Sequence, residues 1–287
     1  MDNYTIFVDL AADIDLDVIE KYNIKFIPMN YSIDGVEYVS DKFLSEETMQ
    51  NFYKEMRNGK ITKTSQITPF QFTEFLKEYA EKGENILYFS LSSGLSSTYN
   101  NALLAKMELE EEYPNFKFMV IDSLGGAGGV GVLTEIACNN MEKGMSLEEN
   151  YKIMFDVAKH SRHWFYVDDL KYLKRGGRVS ASKVLIASTL NIKPIICTNE
   201  EGRLINIGKK IGSKRAALAL VEKYFENRNP NYNIVYIVHG DDINGANNVK
   251  RLLLEKDPNI KIYIKQVCPV VGCHAGPGAV AICHIGK

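Results

Sequence analysis

The sequence predicts an α/β fold built from two α/β domains with mostly parallel sheets. Short apolar runs rich in Val, Ile and Phe, typical of strands covered on both faces, alternate along the chain with segments of helical period. At 287 residues the chain is long enough for two domains of ordinary size, and its 45% apolar and 24% charged residues are the balance of a globular protein. Strand and helix alternating over this length indicate βαβ units, in which the strands are parallel.

The individual elements follow from these patterns and from local start and stop signals. The start Ser45-Glu-Glu-Thr is close to a helix-capping signature, and Pro69 and Gly83 lie just inside the start and just past the end of a helix, as helices favour. Strands are predicted over residues 5–8, 25–31, 85–90, 117–121, 164–167, 193–197, 233–238, 261–266 and 279–283. Helices are predicted over residues 45–57, 69–82, 97–112, 131–143, 147–160, 215–227 and 245–255.

Two consecutive predicted helices, 131–143 and 147–160, interrupt the alternation near the middle of the chain. We therefore predict an N-terminal domain over residues 1–160 and a C-terminal domain over residues 161–287. No stretch rich in Pro, Gly or Ser separates them, so we expect the two domains to pack closely.

Charge, hydropathy and cysteine content narrow the class of function. The net charge of −2 gives no general affinity for nucleic acid or an anionic membrane. The N-terminus enters a strand-like run without the basic and apolar regions of a signal peptide, and no apolar stretch reaches the roughly 18–20 residues of a membrane helix. Five thinly spread cysteines argue against a disulfide scaffold. We expect a cytoplasmic protein without stable membrane insertion, at most in transient contact with a membrane.

A serine-rich loop, residues 90–99 (SLSSGLSSTY), follows a predicted strand and leads into a predicted helix. Loops in this position border the ligand crevice of an open sheet, and a helix N-terminus attracts anions through its free N–H groups and partial positive charge. One serine would indicate only a helix cap, but five hydroxyl residues among positions 92–98 are more than a cap needs. The candidate anion ligands here are Ser93, Ser96, Ser97 and Thr98.

Two other polar segments give weaker signals. Residues 63–69 (KTSQITP) precede a helix, and alone Thr64 and Ser65 indicate only a cap and a loop, unless their hydroxyls converge with the serine-rich loop. Residues 169–178 (DLKYLKRGGR) contain a paired-glycine turn that leaves Arg175 and Arg178 projecting. Arginine suits phosphate or carboxylate recognition, with a basic surface turn as the alternative.

The glycine run at residues 122–131 (DSLGGAGGVG) contains the spacing G-x-G-x-x-G of dinucleotide sites. That fingerprint also requires a second strand ending in Asp or Glu about 20 residues on. Another helix follows instead, so the glycines indicate close helix packing or close passage of a ligand. We expect no cofactor.

The C-terminal segment raises the question of a metal, because it contains Cys268, Cys273, His274, Cys283 and His284. Adjacent residues 283 and 284 lie at the end of a strand and point to opposite faces, and no second matched cysteine pair follows, so we expect buried cysteines and no metal. His274 differs, since an imidazole in a loop rich in Gly and Pro can donate to a ligand oxygen.

Taken in order, these segments resemble the DegV family, whose members include fatty-acid-binding proteins of the FakB type. The resemblance covers essentially the whole chain, beginning with Asp9 after the first strand. Its motifs are TSQ at 64–66, SGLSSTY at 93–99, DS at 122–123 with the glycine run, LKRGGR at 173–178, KPI at 193–195 and GCHAGPG at 272–278.

The resemblance implies two α/β domains that enclose an acyl chain and hold its carboxylate between them. It also implies a partner, a FakA-like, ATP-dependent fatty acid kinase that makes the acyl phosphate for phospholipid synthesis. Carried over by motif, the headgroup ligands would be Thr64, Ser96, the N–H of Ser97 and His274, with Ser65 and Ser93 assisting, and the candidates for docking the kinase would be Arg175 and Arg178.

Three positions depart from the family pattern. Leu10 stands where a serine usually follows Asp9, Ala127 where the glycine run usually has a serine, and Ser97 where the serine-rich loop usually has a glycine. The first two remove hydroxyls near the expected cavity, whereas Ser97 keeps its N–H donor.

We therefore expect a carrier of one long-chain fatty acid that acts with a separate kinase and is not itself a complete enzyme. The chain has no P-loop, no nucleophile elbow and no kinase signature. Two alternatives stay open: a stand-alone serine-dependent acyl hydrolase using Ser96 and His274, and a regulatory lipid sensor.

Overall fold

The computed structural model of the chain describes residues 4–40, 44–179 and 191–287. In chain order its elements are β1 (Tyr4–Asp9), α1 (Leu16–Tyr22), β2 (Lys25–Ile27), β3 (Met29–Ile33), β4 (Val36–Ser40), α2 (Glu46–Arg57), β5 (Thr62–Thr64), α3 (Pro69–Glu81), β6 (Asn85–Ser90), α4 (Thr98–Glu112), β7 (Phe118–Asp122), α5 (Gly128–Glu142), α6 (Leu147–Ala158), β8 (Ser161–Tyr166), α7 (Lys171–Arg175), β9 (Ile192–Thr198), β10 (Leu204–Ile211), α8 (Ser213–Asn227), β11 (Ile234–His239), α9 (Ile243–Lys256), β12 (Lys261–Gln266), α10 (Pro269–Ala275) and β13 (Val280–Ile285).

The first sheet has four parallel strands in the order β2-β1-β6-β7. Its central strand β1 is buried on both faces, because Phe7 packs into the core under α3 and α4 while Ile6 and Val8 pack into the core under α5 and α6. This is the arrangement that the continuous apolar runs predict. The prediction of an α/β fold is confirmed, and for this sheet so is the prediction of parallel strands.

The second sheet has six strands in the order β10-β9-β8-β13-β11-β12, and here the expectation of mostly parallel strands is wrong. Only β11 and β12 run parallel, and the other neighbouring pairs are antiparallel. One reason is the turn between β9 and β10, closed by the Asn199 N–H donating to the Arg203 carbonyl (2.9 Å) with Gly202 at a φ of +67°. Strands joined by so short a turn must be antiparallel.

A small third sheet, in the order β4-β3-β5, is antiparallel and ends near the serine-rich loop. The predicted strand 25–31 is divided at Pro28, so that β2 joins the first sheet and β3 joins the third. Proline has no N–H to donate to a strand ladder, which is why the chain changes sheet at this residue. Six of the elements were not predicted from the sequence. Four of them are short, namely α1, β5, α7 and α10, and two are strands that are mostly exposed, β4 and β10.

Helix α5 packs against the strands of both large sheets and is buried along most of its length. Its glycines make this packing possible. A Cβ on Gly128 would come within 2.7 Å of the Tyr236 side chain, and one on Gly131 within 2.7 Å of the Asp13 carbonyl. The glycine run therefore allows close packing between helix and sheet, which is one of the two interpretations drawn from the sequence.

The strands of the first sheet lie within residues 4–122 and those of the second within residues 161–285. The predicted domain boundary at residue 160 falls between them and stays a prediction, since α5 contacts strands on both sides of it and α10, which lies after residue 160, contacts β3 and β5. In the described part of the chain, no helix combines the length and the apolar character needed to cross a bilayer.

Buried titratable groups make the stability of the fold depend on pH. Desolvation lowers the pKa of His163, His274 and His284, each to about 4. Asp13 behaves in the opposite way, because burial raises the pKa of its carboxyl to about 7. One oxygen of Asp13 accepts the Cys268 N–H at 2.9 Å, and the other is buried without a partner.

We expect acidification from pH 7 to pH 5 to lower the melting temperature. Between their ordinary pKa of 6.5 and about 4, the three histidines bind protons in the unfolded chain but not in the folded one, so stability is lost as the pH falls. Asp13 opposes this loss, since its folded carboxyl keeps a proton that the unfolded chain releases. Calorimetry should therefore show a steeper loss in Asp13→Asn, and a melting temperature that rises towards pH 5 would contradict the assignment.

Candidate functional site

An apolar cavity, here called the inner cavity, lies between loops and helices of the first half of the chain and one face of the second sheet. The inner cavity has a volume of about 120 Å³. One buried water needs roughly 10–15 Å³, so this volume is many times larger. The cavity is therefore large enough for an elongated apolar ligand. Its apolar wall includes Leu91, Phe165, Leu173, Val238, Val267 and Val270.

A wider polar space, here called the mouth, adjoins the inner cavity. The mouth is lined by Thr64, Ser65, Gln66, Ser93, Leu95, Ser96, Ser97 and Arg178. Six of these residues also line the inner cavity, so the two spaces lie side by side: Thr64, Ser65, Gln66, Leu95, Ser96 and Arg178. All six predicted ligand residues border these two spaces, with His274 on the inner cavity and Ser93 and Ser97 on the mouth.

Thr64 and His274 meet where the mouth joins the inner cavity. The Thr64 hydroxyl Oγ1 lies 2.9 Å from Nε2 of His274, a hydrogen bond between residues 210 positions apart. His274 lies in the last turn of the short helix α10 and not in a loop, as its glycine-rich neighbourhood had suggested. A seven-residue helix is too short to give a periodic signal.

The imidazole of His274 is neutral near pH 7. Burial, reinforced by the positive charges of Arg178 and Arg175, lowers its pKa to about 4. Its second nitrogen, Nδ1, is buried without a hydrogen-bond partner. It lies directly over Gly176, where a Cβ would come within 2.0 Å of Nδ1. Gly176 therefore provides the space in which the ring sits.

The serine-rich loop begins at the carboxyl end of β6 and is fixed by carboxylates of the neighbouring strands. Asp9, at the end of β1, accepts the Leu91 N–H at 2.8 Å and the Tyr88 hydroxyl at 2.9 Å. Asp122, at the end of β7, accepts the Ser93 N–H at 3.1 Å. The loop thus occupies the crevice that parallel strands form at their carboxyl ends.

The serine-rich loop also reaches the second sheet. The Ser92 hydroxyl donates to the Gly202 carbonyl at 3.0 Å, and a Cβ on Gly94 would come within 2.4 Å of the Glu201 carbonyl. This contact with the turn between β9 and β10 closes one side of the inner cavity. Ser92 therefore acts as a structural residue, whereas its neighbours face the mouth.

Thr98 joins the two hydroxyl-bearing segments at the mouth. Its hydroxyl lies 2.9 Å from the Ser96 hydroxyl and accepts the Ile67 N–H at 3.3 Å, while the Asn101 side chain donates to the Ile67 carbonyl at 2.7 Å. Residues 64–67 are thereby held beside the start of α4. Ser97 precedes α4 without capping it through its side chain and lines the mouth, whereas the Ser96 hydroxyl accepts the Thr98 N–H at the start of α4 (3.2 Å).

The two arginines of the glycine turn occupy different positions. Arg175 is exposed, donates to the Thr62 hydroxyl at 3.3 Å and lies 5.4 Å from the centre of the Tyr172 ring. Arg178 is half-buried, lines both the mouth and the inner cavity, and donates through Nε to the Leu95 carbonyl at 3.1 Å. Burial lowers the pKa of Arg178.

Gln66 and Arg178 were not predicted to line the site, although both belong to motifs that the sequence singles out. Their positions depend on which way a side chain points after a loop, and this direction carries no sequence signal.

Of the three departures from the family pattern, Ala127 lines the inner cavity and Ser97 the mouth. Leu10 is buried beside them, and its carbonyl accepts the Cys268 thiol at 2.9 Å.

The sequence also raised the question of zinc. In the described residues, no group of three or more His, Cys, Asp or Glu side chains is placed to hold a metal ion. All five cysteines are free thiols, and His284 accepts a hydrogen bond from the Trp164 indole at 3.1 Å. Cys273 and Cys283 each belong to a cluster of buried apolar side chains.

Three comparisons with known proteins agree on one family. The family model described as "Uncharacterised protein, DegV family" matches residues 3–287. A DegV domain-containing protein of Clostridium perfringens is 35% identical over 288 residues, covering 100% of this chain and 98% of that protein. A protein of Thermotoga maritima named "Fatty acid-binding protein" is 33% identical, covering 96% of this chain and 95% of the relative.

Solved structures give the same result for the fold. A DegV lipid-binding protein of Thermotoga maritima superposes with a TM-score of 0.86 at 29% identity, covering 99% of this chain and 98% of that one. The Streptococcus pneumoniae Fatty Acid Kinase (Fak) B3 protein, solved with linoleic acid, superposes with a TM-score of 0.85 at 20% identity, covering 99% of this chain and 100% of the other. With a family model matched over nearly its full length and relatives aligned end to end, the chain belongs to the DegV family.

Proposed function

We propose that this protein binds one long-chain fatty acid, with its tail in the inner cavity and its carboxylate at the mouth. The observation that supports this most is an apolar cavity that shares six lining residues with an adjoining mouth rich in hydroxyl groups. A ligand that fits both must be apolar along its length and polar at one end. The relatives named as fatty-acid-binding proteins support the same class of ligand.

The tail supplies the affinity. Burying one methylene group is worth about 0.8 kcal/mol, so roughly 14 of them contribute about 11 kcal/mol before the costs of association. The head supplies orientation, through the hydroxyls of Thr64 and Ser96 and the N-terminus of α4. His274 adds a neutral ring nitrogen, because its pKa of about 4 leaves it uncharged near pH 7.

We further propose that the protein presents the carboxylate to a separate, ATP-dependent fatty acid kinase. A carboxylate held mainly by neutral donors keeps more of its nucleophilic character towards ATP than one clamped by a free guanidinium fork. Arg178 is the charged group at the mouth, but it already donates to the carbonyls of Leu95 and Gly176. The exposed Arg175, beside the glycine turn, is the candidate for docking the kinase.

The hydrolase alternative finds less support. A serine nucleophile needs its base within hydrogen-bond reach. The Ser96 hydroxyl forms a hydrogen bond with the Thr98 hydroxyl and not with His274. Nε2 of His274 forms its hydrogen bond with Thr64, and Nδ1 has no partner. A regulatory lipid sensor would share the binding site and differ only in having no kinase partner.

The direct test is native mass spectrometry of the protein purified from cells, followed by organic extraction and identification of the lipid. We expect one fatty acid per chain. A protein that carries no lipid and fails to bind added octadecanoic acid would overturn the proposal.

Thr64→Val should weaken the binding of octadecanoic acid by about tenfold, because the variant loses a ligand hydroxyl and leaves Nε2 of His274 unpaired. Fluorescence displacement of a bound probe acid measures the change. Thr73→Val is the matched control, since its hydroxyl contacts only Pro69 and Glu108, away from the site. Equal affinities in the two variants would remove Thr64 from the headgroup site.

Gly176→Ala should disturb presentation more than binding. The added methyl group must displace the His274 ring, since Cβ would come within 2.0 Å of Nδ1, whereas it reaches none of the apolar side chains of the inner cavity. With the kinase and ATP supplied, we expect acyl phosphate formation to fall as it does in Ser96→Ala and His274→Ala. Gly208→Ala, which adds its methyl group to open space, is the control. Unchanged phosphate transfer in Gly176→Ala, Ser96→Ala and His274→Ala would refute this role for the mouth.

A further inference from the structure

One feature of the inner cavity is not explained by an unsubstituted acyl tail. Far along its otherwise apolar wall lies a polar pair, His163 on β8 and Thr198 at the end of β9. Nδ1 of His163 lies 3.3 Å from the Thr198 hydroxyl. Both side chains line the cavity. A plain hydrocarbon tail would pack better against apolar groups of the same size, because polar groups facing it lose their hydration.

The hydrogen bonds of His163 fix which atom donates. Nε2 lies 3.4 Å from the backbone N–H of Gly126, which can only donate, so Nε2 accepts and the ring proton is on Nδ1. Nδ1 therefore donates to the Thr198 oxygen. Among the described residues, no acceptor lies within hydrogen-bond distance of the proton of Thr198. The threonine hydroxyl thus has a proton to offer to a ligand in the cavity.

The ring of His163 is held rigidly in this orientation. It lies against the glycine run, where a Cβ on Gly125 or on Gly129 would come within 1.8 Å of a ring atom. The ring is neutral near pH 7, since desolvation lowers its pKa to about 4. A donor prepared in this way costs little reorganisation when it binds a partner.

The pair lies well away from the mouth. Ala279, directly before β13, neighbours the end of α10 that carries His274, and Cys283 on β13, four positions further along, pairs with His163. Four strand residues span about 13 Å, which corresponds to roughly ten bonds of a zigzag carbon chain when each bond is about 1.5 Å long. The pair therefore faces the middle of a long acyl chain and not its carboxyl end.

We propose that His163 and Thr198 form a second polar subsite, which accepts a hydroxyl group carried near the middle of the fatty acid chain. The proposal rests on the proposed function and names a subclass of its ligand: mid-chain hydroxy fatty acids. The Thr198 hydroxyl donates to the oxygen of the ligand, and its own oxygen remains the acceptor of the His163 proton. No bond is made or broken.

The test compares octadecanoic acid with 10-hydroxyoctadecanoic and 2-hydroxyoctadecanoic acids, each by displacement of a fluorescent fatty acid. We expect the wild-type protein to bind the 10-hydroxy acid at least as tightly as octadecanoic acid. In Thr198→Val, which keeps the shape of the side chain, the 10-hydroxy acid should bind about tenfold more weakly, because its hydroxyl is buried without a partner. Octadecanoic and 2-hydroxyoctadecanoic acids should bind Thr198→Val at least as tightly as they bind the wild-type protein, and Thr198→Ser should bind the 10-hydroxy acid as the wild-type protein does.

The outcomes separate the two proposals. A wild-type protein that binds none of the three acids overturns the proposed function. A protein that binds octadecanoic acid but binds the 10-hydroxy acid more than about tenfold more weakly overturns the subsite alone. The subsite is also overturned if Thr198→Val weakens all three acids equally, or weakens none of them.

Discussion

The hydrogen bond between Thr64 and His274 is the contact on which the site depends, because it joins segments 210 residues apart at the point where polar mouth and apolar cavity meet. Each partner is held by a different part of the chain, Thr64 by the third sheet and His274 by α10. The chain needs both halves to build this point, and neither sheet alone supplies the mouth. Close packing of the two halves is therefore a requirement of the site as well as of stability.

Glycine makes that close packing possible at several positions, and at each the reason is steric. Gly128 and Gly131 let α5 approach the second sheet, and Gly176 leaves room for the His274 ring. None of these three has a positive φ, so backbone conformation alone would permit alanine. What excludes a larger residue is the neighbouring side chain or carbonyl. The glycine run that looked like a nucleotide fingerprint is better explained by the same need for space.

Much of the first half of the molecule could be predicted from sequence. Its strands are continuous apolar runs, its longer helices have clear caps, and both signals are local. The convergence of Thr64, Ser65, Ser93, Ser96, Ser97 and His274 on these two adjoining spaces was also expected, although the chemical role of each stays a prediction.

The second half departs from the sequence-based expectation for physical reasons that are not local. Strand β10 is largely exposed and carries Lys209 and Lys210, so it lacks the apolar pattern of the buried strands, and missing it hid the hairpin that makes this part of the sheet antiparallel. The inward position of Arg178 depends on the carbonyl of Leu95, a contact across 83 residues. A contact between residues so far apart in the chain produces no periodic pattern in the sequence, so it could not be predicted.

The walls of the inner cavity come from both halves of the chain, and this has a consequence for the loaded protein. In a close-packed interior each buried side chain is surrounded by neighbouring groups. A bound acyl chain would supply those neighbours and become part of the hydrophobic core itself. Under the proposed function, binding and release of the acyl chain would change the packing of that core, so the affinity for the ligand and the stability of the fold would be thermodynamically linked.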